Sequence, residues 1–244
     1  MKILNIKGTY NVRDVGGMVT TDGKILREKV LIRSGKLDKL PESSQTQLIN
    51  YGVRTVIDVR NEWENEHYPN VFQGSDAVAH YNLPLIGDAL SNDEAFYAKT
   101  HHYVELHELY AMYVDDCQAQ IGAIVSQFAE SDGTTIVHCH AGKDRTGIIT
   151  GLILALVGIA DKHIAHDYAE TRKHIQHLLD AWRAYEESKG NDMAQFERNN
   201  TCAPETMLEM LKHVRETYGD VATYLRECSV SEDAIRQVKA KLLG

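Results

Sequence analysis

The stretch His138-Cys139-His140-Ala141-Gly142-Lys143-Asp144-Arg145-Thr146-Gly147 decides how the rest of the chain is read. It follows Thr134-Thr135-Ile136-Val137, a β-branched run that reads as a strand, and it precedes the apolar run Ile148 to Ile159. That run is too short for a bilayer crossing, which needs about 20 residues, so it predicts a helix buried on all sides and no transmembrane segment. Strand, glycine-bearing loop and helix in this order make a phosphate cradle: successive N–H groups converge on one point, and the helix dipole adds positive potential there. Arg145 opens the helix and offers a planar fork for two phosphate oxygens. The same field stabilises a thiolate, which makes Cys139 the candidate nucleophile, with Thr146 near enough in sequence to hydrogen-bond its sulfur. His140, Ala141, Gly142, Lys143, Asp144, Arg145 and Thr146 are the candidate phosphate-binding residues.

Plainer readings compete. A cysteine and an arginine at this spacing arise by chance, and a lone cysteine at a strand end is ordinarily a small buried hydrophobe. The conjunction of strand, cysteine, glycine, arginine and apolar helix favours the cradle. A metal site at His138-Cys139-His140 is disfavoured, because consecutive side chains at a strand end point to alternate sides and the paired cysteines of a structural zinc site are absent. No metal and no cofactor is therefore expected. His163, His166, His174 and His177, spaced by three on expected helices, read as a solvated polar face.

Bulk properties set the context. The chain has 244 residues, 43% hydrophobic and 25% charged, which suits one α/β domain of ordinary soluble composition, taken here as residues 1–244. A formal net charge of −9 argues against nucleic acid and anionic membrane surfaces as partners. Four scattered cysteines do not make a disulfide scaffold, and Met1 to Tyr10 has no apolar signal region, so a cytoplasmic protein with reduced thiols is expected.

Elements alternate along the chain. Met18 to Ile25 holds the turn signal Thr-Asp-Gly-Lys of a hairpin, and Lys29 to Ile32 resumes an extended run. Pro41 to Tyr51 reads as a helix closed by Gly52, leading to the strand Arg54 to Arg60, so that Asp58 lies near a strand's C-terminal end. Ala79 to Leu85 is a third strand candidate, followed by a loop containing Asp88. Val104 to Phe128 reads as helical, with Ile121, Ile124, Val125 and Phe128 on one apolar face and Ser131-Asp132-Gly133 as the stop. Beyond Asp161 the chain reads as helical, with Ser231 capping a last helix on which Ile235, Val238 and Leu242 share a face.

The quoted stretch resembles the H-C-x-x-G-K-D-R-T-G signature of the IphP-type bacterial tyrosine/serine phosphatases, within the cysteine-dependent protein tyrosine phosphatase superfamily. Asn11-Val-Arg-Asp-Val-Gly-Gly17 is similar to that family's opening, Ile32-Arg-Ser-Gly-Lys-Leu37 to its R-S-x-x-L step, Val56-Ile-Asp-Val-Arg60 to its I-D-L-R strand, and Asp167-Tyr168 to a later D-Y pair. Val12 and Val59 stand where phenylalanine and leucine are usual. The resemblance implies a phosphatase-like fold: a central mixed sheet flanked by helices, with a helical C-terminal portion from about residue 178. It also implies the mechanism. Cys139 attacks phosphorus in line, Arg145 and the loop amides hold the equatorial oxygens, a carboxylic acid protonates the leaving oxygen, and water hydrolyses the phosphocysteine. Asp144 and Asp88 are the leading candidates for the acid. Asp58 is a supporting candidate that equally suits an ion pair with Arg60. Lys143 is expected as a second cation at the rim, a position associated with phosphoinositide head groups in related lipid phosphatases. The substrate is then a phosphorylated protein or a phosphoinositide. Two rivals stay open: a non-catalytic phosphate-binding module, and another cysteine-loop enzyme such as a rhodanese or arsenate reductase.

Overall fold

The computed structural model describes residues 1–100 and 102–244. Its sheet is built from β1 (Lys2–Ile3), β2 (Arg13–Asp14), β3 (Leu31–Ser34), β4 (Val53–Asp58), β5 (Ala79–Asn82) and β6 (Thr134–His138), in the spatial order β1-β2-β3-β6-β4-β5. The pairs from β3 to β5 are parallel and those of β1, β2 and β3 antiparallel, so the sheet is mixed, as the resemblance implied. Alternation along the strands separates two cores. Ile32, Val56 and Ile136 face a smaller cluster that includes Leu48 of α1 (Glu42–Tyr51). Leu31, Ile57 and Val137 face the larger one, which reaches from Val15 to Leu242 and takes in α5 (Leu106–Asp116), α6 (Gln118–Glu130) and α7 (Asp144–Leu156).

These two layers explain where the site forms. β3 and β6 are neighbours, yet the chain leaves β3 toward α1 on one face and β6 toward α7 on the other. Where adjacent parallel strands send the chain to opposite faces, a crevice opens at their carboxyl ends. The quoted loop lies in that crevice. α7 itself is apolar all round and buried along most of its length, as its composition required.

The remaining helices are α2 (Glu62–His67), α3 (Asp88–Ser91), α4 (Glu94–Thr100), α8 (Asp161–Lys189), α9 (Met193–Asn199), α10 (Pro204–Tyr218), α11 (Val221–Glu227) and α12 (Glu232–Leu243). Gly52 ends α1 at φ 120°, and Ser231 caps α12 through the Ala234 N–H, as expected. Four expectations need correction. The helix expected over Val104–Phe128 is two helices, broken at Cys117, where Asp115 and Asp116 bring negative charge to the carbonyl end of α5. The strand expected to reach Leu85 ends at Asn82, two residues before Pro84, which lacks a ladder donor. Asp88 does not sit in a loop but opens α3. The hairpin around Gly23 does form, with the Val19–Ile25 bridge, Thr20 N–H donating to Lys24 O at 2.9 Å and Leu26 N–H to Met18 O at 2.8 Å, but because Lys29 has φ 61° the extended run after it begins at Leu31 and not at Lys29.

Candidate active site

Ser34, His138 and Asp58 lie side by side in register at the carboxyl ends of β3, β6 and β4. Cys139 is the first residue beyond that line and is buried. The carbonyls that follow are held from behind. His140 O accepts the Lys36 N–H at 2.9 Å and the Tyr10 phenol at 3.0 Å. Asn11 Nδ2 donates to both Ala141 O and Gly142 O at 3.0 Å, and Arg33 Nη2 donates to Gly142 O at 2.8 Å. Among the described residues no protein acceptor takes an amide hydrogen from His140 through Arg145. With the carbonyls engaged and the amides free, the loop presents donors, which is what an anion needs. The turn demands glycine at 142: φ is 68°, and a Cβ there would stand 2.4 Å from Ser34 O.

Below the loop, the separate motifs of the sequence meet. Asp167 accepts Arg13 Nε at 3.1 Å and Arg33 Nη1 at 2.6 Å, with all three side chains buried. Arg13 also donates to Asn11 Oδ1 and to Thr171 Oγ1. One carboxylate on α8 thus aligns the two residues, Asn11 and Arg33, that grip the loop. Burial alone would raise the Asp167 pKa, but Arg33 and Arg13 outweigh it and hold the carboxyl below its ordinary value. Burial lowers Arg13 to about 10 despite Asp167. Asp167→Asn leaves two buried guanidinium groups without their shared anion, a loss of about 3–5 kcal/mol. Urea denaturation should show it near neutral pH. Because the folded pKa is depressed, the wild-type advantage is full above the ordinary aspartate range and shrinks as pH falls through the folded value.

Arg145 is fixed from the opposite side by a residue that the sequence did not single out. Glu64, on α2, accepts both terminal nitrogens of the guanidinium, Nη2 at 3.0 Å and Nη1 at a closer approach. This contact sets the guanidinium plane and leaves the Nε edge for a second anion. Burial disfavours the charge on each partner, yet the pairing wins: Glu64 is pulled down and Arg145 pushed up. The only local signal at Glu64 is its spacing from Asn61. That spacing marks a capping box, and both hydrogen bonds of the box are present.

The sequence matches the model of the tyrosine phosphatase family over residues 4–244. The chain belongs to this family. It is 27% identical to a tyrosine-protein phosphatase of Nostoc commune over 86% of this chain and 73% of that one. It is 24% identical, over the full length of both, to the triple specificity protein phosphatase PtpB of Mycobacterium tuberculosis. The chain is accordingly a phosphatase, and the substrate it takes carries a phosphate.

The other residues singled out in this phosphatase divide into those at the loop and those held elsewhere. Asp144, first residue of α7, has a side chain that is 37% exposed; its Oδ1 accepts the Tyr110 phenol at 2.6 Å. Asp88 lies on α3, where its Oδ2 caps α2 by accepting the Trp63 N–H at 3.1 Å. Asp58 is fully buried and accepts Arg60 Nε at 2.9 Å and Nη2 at 2.6 Å, the ion pair weighed from the sequence. Burial works to raise its pKa, but His138, His80 and Arg60 together hold it well below the usual carboxylate range. His138 is buried against Asn70 at 2.8 Å, and burial pushes its pKa down.

Two expectations fail. Lys143 is not at the rim: it is 2% exposed, and its Nζ donates to the carbonyls of Asn199 and Thr201 at 3.0 and 3.1 Å. The connection between α9 and α10 covers it. Thr146 Oγ1 is buried and has no hydrogen-bond partner among the described residues, so the bond expected to the cysteine sulfur is not made.

Proposed function

We propose that this enzyme hydrolyses phosphotyrosine and phosphoserine in proteins through a phosphocysteine intermediate, within a single phosphatase domain. The observation that carries the reading is the loop's polarity: its carbonyls are bound from behind, its amides are free, and Cys139 and Arg145 stand at its two ends. In this reading Cys139 Sγ attacks phosphorus as the ester bond breaks. Arg145 and the N–H groups from His140 to Arg145 receive the equatorial oxygens. Asp144 protonates the leaving oxygen and then takes a proton from the water that releases phosphate. Asp144 is preferred over Asp88 and Asp58 because its carboxylate belongs to the loop and is partly exposed. Asp88 lies outside the loop, on α3 at the α2 terminus, and Asp58 is fully buried against Arg60.

Phosphoinositides are the weaker substrate class. Their support was a lysine at the rim, and Lys143 is buried under the Asn199–Thr201 carbonyls. No helix among the described residues is long and apolar enough to cross a membrane. Cytoplasmic residence fits the four cysteines, which are all unpaired. A turnover panel in the presence of chelator tests the proposal. Phosphotyrosine and phosphoserine peptides should both be cleaved, with phosphoinositides cleaved at least about tenfold more slowly, about 1.4 kcal/mol in the barrier. Activity on phosphoinositides alone, or activity lost to chelator and restored by a metal, would overturn it.

A further inference from the structure

Asp144 belongs to a closed circuit of polar groups. Its Oδ1 accepts the Tyr110 phenol at 2.6 Å, and the Tyr110 and Tyr168 oxygens are 2.9 Å apart. Tyr168 reaches the Thr201 carbonyl at 3.4 Å, and that carbonyl also accepts Lys143 Nζ at 3.1 Å. Nζ lies 2.9 Å from Asp144 Oδ1, which completes the ring. Tyr110 and Tyr168 are fully buried and Lys143 nearly so, while Asp144 is partly open. The carboxylate is therefore the one side chain through which the circuit meets solvent.

On Oδ1 the phenol occupies one lone-pair position, and the Lys143 ammonium group, ion-paired at 2.9 Å, places its positive charge beside the same oxygen. A proton on Asp144 is thereby directed to Oδ2, which has no protein donor among the described residues. We propose that Tyr110, braced by Tyr168, is a positioning residue for Asp144, holding Oδ1 so that Oδ2 alone exchanges protons with the substrate. The proposal rests on Asp144 being the acid. As the S–P bond forms and the ester P–O bond breaks, the proton passes from Oδ2 to the leaving oxygen with its electron pair. As water then forms a P–O bond and the S–P bond breaks, Oδ2 takes the water proton back. The balance needs no other reactant. Burial, reinforced by the Asp144 charge, raises the Tyr110 pKa far above neutrality, so the phenol stays a donor throughout.

The test is a double-mutant cycle read on two esters. An aryl phosphate with an acidic phenol hardly needs protonation, whereas an alkyl phosphate does. Tyr110→Phe should lower kcat on the alkyl ester about tenfold, the loss of one hydrogen bond to a charged group, with KM and the aryl ester within about threefold of wild type. Added to Asp144→Asn, it should cost nothing more. Tyr168→Phe, which removes the brace and its long contact with the Thr201 carbonyl but leaves the Tyr110–Asp144 bond, should show a smaller loss with the same selectivity, and melting temperatures should stay near wild type. Equal losses on both esters, or losses that multiply in the double variant, would overturn the positioning role. A selective Asp144→Asn beside a silent Tyr110→Phe would overturn the inference alone. An Asp144→Asn that is not selective would remove the acid assignment together with it.

Discussion

Cys139→Ser is expected to lose on the order of 10⁴-fold or more in kcat/KM while still binding inorganic phosphate. The two halves of this result have separate causes. In the proposed mechanism phosphate is held by loop amides and Arg145, and the loop is shaped by Asn11, Arg33 and Gly142, none of which the substitution touches. The chemical step, by contrast, needs an activated nucleophile, and a serine hydroxyl at its ordinary acidity is a poor one. Steady-state turnover together with a phosphate titration checks both halves. Turnover kept in the variant would remove the nucleophile assignment, and lost phosphate binding would mean that the sulfur shapes the cradle.

Arg145→Lys is expected to cost about 10²–10³-fold in kcat/KM, the scale of removing a donor aimed at transition-state charge. Charge is conserved in this exchange but geometry is not. Glu64 engages two nitrogens of Arg145 at once, and that grip fixes the plane of the guanidinium. A lysine ammonium is a point charge that Glu64 can draw away from the phosphate. The loss should fall mainly on kcat. If Arg145→Lys retained more than about a third of wild-type kcat/KM, the oriented fork would have no role in the reaction.

The loop and its strand were legible in the sequence because their signals are local. The β-branched run Thr134–Val137, the glycine at 142 and the apolar helix behind Arg145 each speak for a conformation within a few residues. The motif segments around Asn11, Arg33 and Asp167 were visible as a resemblance. Their common purpose was not, since Asp167 reaches Arg13 and Arg33 across 154 and 134 residues of chain. Glu64 was missed for the same reason, being 81 residues from Arg145 with only a helix cap to mark it. Lys143 was misplaced because a rim exists only where nothing covers it, and its cover comes from a connection 56 residues further on. Local pattern fixes backbone shape, whereas burial and pairing at a site depend on contacts that close the whole fold.

The phosphocysteine is the central claim, and rapid acid quenching followed by mass spectrometry of the digested protein tests it most directly. With an activated aryl phosphate in excess, wild-type enzyme quenched during turnover should carry one phosphoryl group on the peptide containing Cys139, and Cys139→Ser should carry none. A phosphoryl group on any other peptide, or turnover that never labels the Cys139 peptide, would contradict the account.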